Sequence, residues 1–255
     1  MSGAAVAFRA YTASLFIGKV RWMLLASVLS FLALVALAVI AGVFFRDFKE
    51  EALRMIREFA VIPMGPVWFF PGGIALGSLL LSEIPIRDGI RQRTLLYHLL
   101  GPVSRTTLAV VRTGVTGVLV ASVLIALVAI VRLLEGGGLG GLPRDAFAIA
   151  LGSCAYVGIF GAFHLFSRWG LASGLAFHVL FDNFLGVFPF GLRNFSPAYH
   201  LRVVADHPVG MNLPIRLEAP ESSVILSALV LVAVAAASMA VGAYRFSRMQ
   251  LGELC

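Results

Sequence analysis

The chain has 255 residues, of which 60% are hydrophobic and only 13% are charged, and its mean hydropathy is +0.95. Because a soluble domain carries about 25% charged residues, this composition excludes a soluble protein and indicates a single integral membrane domain. The formal net charge of +7 would suggest nucleic acid as a partner of a soluble protein, but here the basic residues lie in predicted loops and helix ends. Membrane topology and anionic lipid explain them there, so we expect membrane lipid and no nucleic acid as a partner.

Apolar runs predict an all-α integral membrane protein with six transmembrane helices. A helix that spans the bilayer needs about 20 predominantly apolar residues. In chain order, the predicted spans are 22–45, 59–83, 106–131, 146–166, 170–190 and 223–244. Prolines and a glycine pair interrupt the second span, so we expect it to bend or to begin near Val67 and to pack inside the bundle. Residues 1–255 are therefore interpreted as one transmembrane domain.

The N-terminal segment 1–21 is predicted to be an interfacial helix. Phe8, Tyr11, Leu15 and Phe16 recur at helical spacing, with basic residues between or beyond them. That pattern favours an amphipathic helix lying in the membrane interface. The alternative is a solvated start of the first span.

The segment 191–222, before the sixth span, is the longest polar stretch of the chain. It contains apolar side chains such as Phe195, Tyr199 and Leu201 among its polar residues. We expect it to form short helical or re-entrant segments that cap the outer end of the bundle, because non-helical backbone enters a membrane only where protein shields it. An ordinary loop is the alternative.

Lysine and arginine counts give the expected orientation. The side that holds both termini, the 84–105 connection and the turn after the fourth span carries 11 basic residues, and the other side carries 9. Acidic residues widen the difference, to a net charge of +8 against zero. Cytoplasmic loops carry the excess of lysine and arginine, so both termini are predicted to be cytoplasmic.

Three ionisable residues in the fourth and fifth spans are candidates for chemistry: His164, His178 and Asp182. An ionisable residue in a span is a functional hypothesis by default, and an intramembrane hydrolase would use such groups to activate water. No zincin-type motif or intramembrane Glu pair accompanies them, so we expect no metal ion and no catalytic residues. The favoured interpretation is structural, with His178 and Asp182 hydrogen-bonding across helices.

Nucleotide binding by this chain is not expected. A P-loop requires GxxxxGK[ST], whose lysine reaches the phosphates. Lys19 and Lys49 are the only lysines, and neither follows such a sequence. The chain is expected to bind no cofactor itself, and an ATP-driven process would need a separate chain that binds ATP and Mg²⁺.

The connection 84–105 is the densest basic segment between two apolar runs. At helical spacing its leucines share one face of a helix, which would form an apolar surface. Its arginines could pair with acidic side chains of a partner, and a proline precedes the third span. The residues expected to dock a partner are Arg87, Asp88, Arg91, Arg93, Thr94, Leu95, Leu96, Leu99, Leu100, Pro102, Ser104 and Arg105. The alternative is a basic connector held at the surface by anionic headgroups.

This segment, EIPIRDGIRQRTLLYHLLGPVSRTTLAVVR at 83–112, resembles the cytoplasmic segment between the second and third spans of ABC-2 type ABC transporter permeases. Members typically show an acidic or polar run, a threonine, a leucine-rich turn and a Pro-x-Ser-Arg step into the third span. The six spans, the interfacial helix and FSPAYHL at 195–201 also fit. The chain departs from the pattern just before Thr94, where Gly89, Gln92 and arginines replace the usual acidic residues and glycine.

The resemblance implies a transmembrane permease subunit of an ABC exporter in a bacterial plasma (inner) membrane. The 84–105 segment would form a coupling helix that seats in a groove of the ATP-binding subunit. Two such subunits would bind ATP and Mg²⁺, and a second copy or a related permease would complete the translocation path. Two alternatives stay open: an intramembrane hydrolase that uses His164, His178 and Asp182, and a membrane assembly factor that transports nothing.

Overall fold

The computed structural model describes residues 5, 8, 9, 11, 12, 66–83, 103–134, 140–187, 191–206 and 222–249. Every regular element within these ranges is helical, which confirms the all-α class. Three helices are long and apolar enough to cross a membrane: Arg105–Ile130, Leu142–Phe166 and Val224–Arg248. The chain is therefore an all-helical protein whose helices have the composition of membrane spans.

Six α-helices longer than one turn and three other helical elements account for most of the described chain. In order they are α1 Pro66–Leu81, α2 Arg105–Leu134, α3 Leu142–Phe166, α4 Gly170–Ala176, a π-helix Phe177–Asn183, the single turn α5 Phe184–Val187, a 3₁₀ helix Gly191–Phe195, α6 Pro197–Ala205 and α7 Val224–Arg248. The predicted span 22–45 and residues 59–65 of the second lie outside the described residues. Of the predicted interfacial helix, residues 5, 8, 9, 11 and 12 are described, and each is helical.

Helix α3 is the centre of the bundle and contacts α1, α2, α4, α6 and α7. Small residues on α3 permit these close approaches. A Cβ atom added at Gly158 would lie 2.2 Å from Ser238 Oγ of α7, and one added at Gly152 would lie 2.1 Å from Leu201 Cδ1 of α6. Small residues are the usual means by which membrane helices pack closely. The core accordingly surrounds α3, and Tyr156 and Phe160 are among its largest fully buried side chains.

The contacts of α3 fix the direction of its neighbours. Helix α7 runs parallel to α3, because Gly158 lies against Ser238 and Leu165 lies against Gly242. Helix α2 begins where α7 ends, since Arg105 Nη1 donates to the carbonyl of Met249 at 2.8 Å. We call this end of the bundle the Met249 end.

Helix α6 lies beside the first half of α3 and runs antiparallel to it. Leu201 packs over Gly152, and further along Arg144 Nε donates to the carbonyl of Val204 at 3.0 Å. Arg144 Nη1 also pairs with Asp206 Oδ2 at 2.7 Å. We call this end of the bundle the Arg144 end.

Helix α6 is short but completely buried, although the sequence places it in the longest polar stretch. All nine of its residues are buried between α3, α7 and α1. His200 is accommodated because its Nε2 donates to the Asn194 carbonyl at 2.8 Å and its Nδ1 accepts from Ser227 Oγ at 3.1 Å. Burial lowers the pKa of His200, although the bond to Asn194 raises it, which favours the neutral ring that this arrangement needs.

Serine side chains cap helices α2, α6 and α7. Ser196 Oγ accepts a hydrogen bond from Tyr199 N at 3.1 Å, and Ser223 Oγ accepts one from Leu226 N at 3.2 Å. Ser104 caps α2 in the same way. A serine at the N-cap satisfies one of the backbone N–H groups that the first turn leaves open, so it explains why these helices begin where they do.

Candidate functional site

Asp182 is fully buried and accepts hydrogen bonds from three different parts of the chain. Its Oδ2 accepts from Tyr156 Oη of α3 and from His178 Nδ1 of the π-helix, the latter at 3.1 Å. Its Oδ1 accepts from Ser196 Oγ at 2.8 Å and from the backbone N–H of Ala198 at 3.0 Å. We call these five residues the Asp182 cluster, and it ties α3, the π-helix and the start of α6 together.

Asp182 lies beside a helix N-terminus and near a buried guanidinium. The carboxylate lies at the N-terminus of α6, where the exposed N–H groups and the helix dipole favour an anion. Ser196 is the N-cap of that helix and also bonds the carboxylate. The buried guanidinium of Arg202, one turn further along α6, interacts electrostatically with Asp182 and Tyr156. Burial lowers the pKa of Arg202, whereas its electrostatic interactions with Tyr156 and Asp182 raise it.

The π-helix brings three side chains of the fifth predicted span to one place. His178 bonds Asp182, four residues on, through Nδ1, and it contacts Asn183 Nδ2, five residues on, through Nε2 at 3.2 Å. The hydrogen-bond pattern assigns the proton to Nδ1, so that Nε2 accepts from the amide. A π-helix has wider turns than an α-helix and often marks a functional position. The predicted continuous span 170–190 is therefore not a regular α-helix in its middle.

His164 does not join the cluster. It is buried at the other end of the α3–α4 hairpin, where a Cβ atom added at Gly170 would lie 2.3 Å from its Nδ1. Tyr156 is eight residues away on α3, which is about 12 Å along the helix axis. The three polar residues singled out in the sequence are thus divided between two places, with His178 and Asp182 together and His164 apart.

We expect the Gly170→Ala variant to lose stability, because its new methyl group would lie 2.6 Å from the Cα atom of His164. A backbone atom cannot move aside as the end of a flexible side chain can, so the clash should lower the free energy of unfolding by about 1–3 kcal/mol. The matched control is Gly161→Ala, where the added methyl group meets nothing within 4 Å. That variant should be neutral or slightly stabilised, since alanine favours a helix. Thermal unfolding of the two purified variants in one detergent measures the difference, and equal midpoints would contradict this packing.

Among the described residues, the Asp182 cluster does not show the serine–histidine contact of a serine hydrolase. Hydrolysis by a serine requires the hydroxyl to bond a base, whereas Ser196 Oγ donates to Asp182 and not to His178 among the described contacts. Both carboxylate oxygens already accept two hydrogen bonds each. In the described part of the chain, no three His, Cys, Asp or Glu side chains are grouped to hold a metal ion. The hydrogen bonds of the cluster join α3, the π-helix and the start of α6.

Sequence reasoning found two members of the cluster and missed the others. Tyr156 gives no signal of its own, because an apolar span containing one tyrosine has many possible neighbours. Ser196 did carry a signal, since Ser-Pro before a helix is the usual N-cap and first position. Its second role, as a donor to Asp182, depends on a contact between distant segments.

Of the predicted docking residues, the structure describes Ser104 and Arg105, at the start of α2. Ser104 caps the helix, and Arg105 links it to Met249 at the end of α7. The other ten lie outside the described residues: Arg87, Asp88, Arg91, Arg93, Thr94, Leu95, Leu96, Leu99, Leu100 and Pro102.

The N-terminal segment contacts α2 near the same end. Tyr11 Oη lies 2.9 Å from Thr116 Oγ1, and the guanidinium of Arg112 lies over the Tyr11 ring at 4.9 Å from its centre. Tyr11, Arg112 and Thr116 are all buried. The start of α2 therefore joins the N-terminal segment and the end of α7 at the Met249 end.

Comparisons of the chain with protein-family models, with curated proteins and with solved structures found no match. The functional interpretation rests on the chemistry of two regions, the Asp182 cluster and the junction at the start of α2.

Proposed function

We propose that the chain is the transmembrane permease subunit of an ABC exporter. It would contain six spans, pair with a second permease to form the translocation path, and be coupled to two separate ATP-binding subunits. The segment 84–105 is the coupling helix of this proposal, both termini are cytoplasmic, and the membrane is a bacterial plasma membrane. Nucleotide and Mg²⁺ are bound by the partner.

The observation that carries the proposal is the junction at the start of α2. The step GPVSR at 101–105 resembles the Pro-x-Ser-Arg entry of ABC-2 permeases, and Ser104 and Arg105 there cap α2 and bond it to Met249. Tyr11 contacts the same helix two to three turns later. A displacement of the 84–105 segment would thus act together on α2, α7 and the N-terminal segment. That is the mechanical requirement for converting a partner's ATP cycle into movement of helices.

The distribution of charge supports the proposed orientation. Near the Met249 end the described arginines are Arg105, Arg112, Arg168, Arg245 and Arg248, and the described acidic residue Glu83 follows the end of α1. At the Arg144 end the described arginines are accompanied by Asp145 and Asp206, and Asp206 pairs with Arg144. An excess of arginine and lysine favours the cytoplasmic side. The Met249 end, where the coupling segment enters α2, is therefore the cytoplasmic end in this proposal.

The Asp182 cluster has a structural part in this proposal. It joins α6 and the π-helix to α3 at Tyr156, near the middle of α3. These elements would move with α3 as one body when the Met249 end is displaced. The hydrolase alternative is less favoured because His164 lies apart from His178 and Asp182.

Copurification from native membranes tests the proposal. The chain should be extracted with its surrounding lipid, without harsh detergent, and its partners identified by mass spectrometry. We expect an ATP-binding subunit in amounts similar to this chain, and ATP hydrolysis by the isolated complex. Recovery of the folded chain with no nucleotide-binding protein would overturn the permease assignment. An ATP-independent assembly containing other proteins would favour the assembly factor instead.

A further inference from the structure

Arginines and exposed aromatic rings form a patch at the Met249 end, between the turn after α3 and the last turns of α7. Its aromatic rings are largely exposed: 59% of Phe166, 66% of Trp169 and 57% of Tyr244. The members of this basic-aromatic patch are Phe166, Arg168, Trp169, Tyr244, Arg245 and Arg248. Neither ABC coupling nor the Asp182 cluster uses them.

Each guanidinium of the patch lies beside an aromatic ring. Arg245 lies over Phe166 with 5.9 Å between the guanidinium carbon and the ring centre, which joins α7 to the end of α3. Arg248 lies over Tyr244 at 4.7 Å, and Arg168 lies beside the neighbouring indole at 5.9 Å. A ring holds the guanidinium plane through cation–π attraction. The planar N–H fork of arginine matches the oxygens of a phosphate group.

An exposed apolar strip of α7 leads directly to this patch. Residues that recur every three or four positions share one helix face. On α7 one such face is exposed along its whole length and consists of Leu226, Leu229, Ala233, Ala237, Val241, Tyr244 and Arg248. In the most apolar 18-residue stretch of this helix, only 11% is buried inside the bundle. A ligand lying on this face would therefore meet hydrocarbon first and a cluster of positive charge at its end.

We propose that the basic-aromatic patch binds the headgroup of an anionic phospholipid, with one acyl chain along the exposed strip of α7. A phospholipid has both chemistries in the same order, whereas an acidic protein would match the charges alone. The dipole at the C-terminus of α7 would account for Arg245 and Arg248 alone, but not for Arg168 beside Trp169. Aromatic rings are also enriched at the headgroup level of membranes.

Binding of phosphatidylglycerol, measured by native mass spectrometry on the purified chain, tests this site. Each arginine near a membrane surface strengthens anionic-lipid binding about five-fold, so Arg248→Gln should weaken it by that factor and the triple change R168Q/R245Q/R248Q about a hundred-fold. Phosphatidylcholine should bind weakly to the unchanged protein and to every variant. The matched control is Arg9→Gln, which removes an exposed arginine outside the patch. It should weaken phosphatidylglycerol binding clearly less than Arg248→Gln does.

Three results would overturn the proposal. Equal weakening by Arg9→Gln would mean that only overall surface charge matters. Displacement of phosphatidylglycerol by inorganic phosphate at similar concentration would mean that the strip of α7 takes no part. Loss of an acidic protein partner by the triple variant, at unchanged phosphatidylglycerol binding, would assign the patch to that protein. The thermal midpoint of each variant, measured in the same detergent, separates loss of binding from loss of fold.

Discussion

Asp182→Ala should lower the thermal midpoint of the purified chain by roughly 10 °C. The substitution leaves the Tyr156 hydroxyl, His178 Nδ1 and the Ala198 N–H without their acceptor inside the bundle. The Ser196 hydroxyl loses one of its two acceptors and keeps the backbone carbonyl of residue 182. It also removes the negative charge that interacts with buried Arg202. Removing one partner from a buried charged network costs about 3–5 kcal/mol, mainly because the remaining groups stay desolvated.

Asp182→Asn should be milder and reveals what the charge contributes. The asparagine amide has one acceptor oxygen for Ser196 and Ala198, and two donor hydrogens that Tyr156 and His178 can accept. For this, the histidine must change tautomer and the Asn183 amide must turn over, so that its oxygen accepts from Nε2. The remaining loss is then the missing attraction to Arg202. If that is so, the double variant Asp182→Asn/Arg202→Gln should regain part of the stability that Asp182→Asn loses. Double-mutant cycles isolate such coupling between neighbours.

Two serine caps provide a matched control for the cluster. Ser196 and Ser223 accept from a backbone N–H at nearly equal distances, but only Ser196 also donates to Asp182. Ser223→Ala should cost about 1 kcal/mol, the usual effect of a lost N-cap. Ser196→Ala should cost clearly more, because a carboxylate bond is lost as well. Equal losses for the two serines, or an Asp182→Ala variant as stable as the parent chain, would contradict the central role given to Asp182.

The positions of the helices could be predicted from the sequence, because hydropathy and N-capping depend on residues that are neighbours in the chain. Expected spans at 106–131 and 223–244 correspond to the observed helices α2 and α7, whose starts follow Ser104 and Ser223. The spacing of His178 and Asp182 also indicated a shared helix face. These features need only neighbouring residues, so one sequence contains the necessary information.

The remaining features depend on contacts between distant segments. Tyr156 is 26 residues from Asp182 in the chain, and Ser196 is 14 residues away. Nothing in either segment specifies the other as its neighbour. Burial of α6 was hidden for the same reason, since His200 and Arg202 suggest exposure until their partners in other segments are known. The π-helix has no local sequence signal, and Asp182 fits there because three segments supply its hydrogen bonds.

Leu96→Asp should abolish copurification of the ATP-binding subunit while leaving insertion and yield of this chain unchanged. In the proposed permease, Leu96 is part of the apolar stripe that fills the partner's groove. Burying a leucine contributes about 1.5–3 kcal/mol, and an aspartate in that groove would lose this contribution and add the cost of burying a charge. Binding should therefore weaken at least about 100-fold, since each 1.4 kcal/mol is a factor of ten.

Arg91→Glu tests the charged side of the same contact and should also weaken binding by reversing the attraction to acidic residues of the partner.

The matched control is Leu192→Asp, which introduces the same charge at a leucine that is 49% exposed in the segment between the π-helix and α6. That variant should retain the ATP-binding subunit, because it changes the half of the bundle away from the coupling segment. Copurified subunit and ATP hydrolysis are measured together for all three variants. If Leu96→Asp and Arg91→Glu both retain the ATP-binding subunit and its ATP hydrolysis in full, 84–105 is not the docking segment. If only Leu192→Asp loses the subunit, the docking surface lies at the Arg144 end and the proposed orientation is reversed.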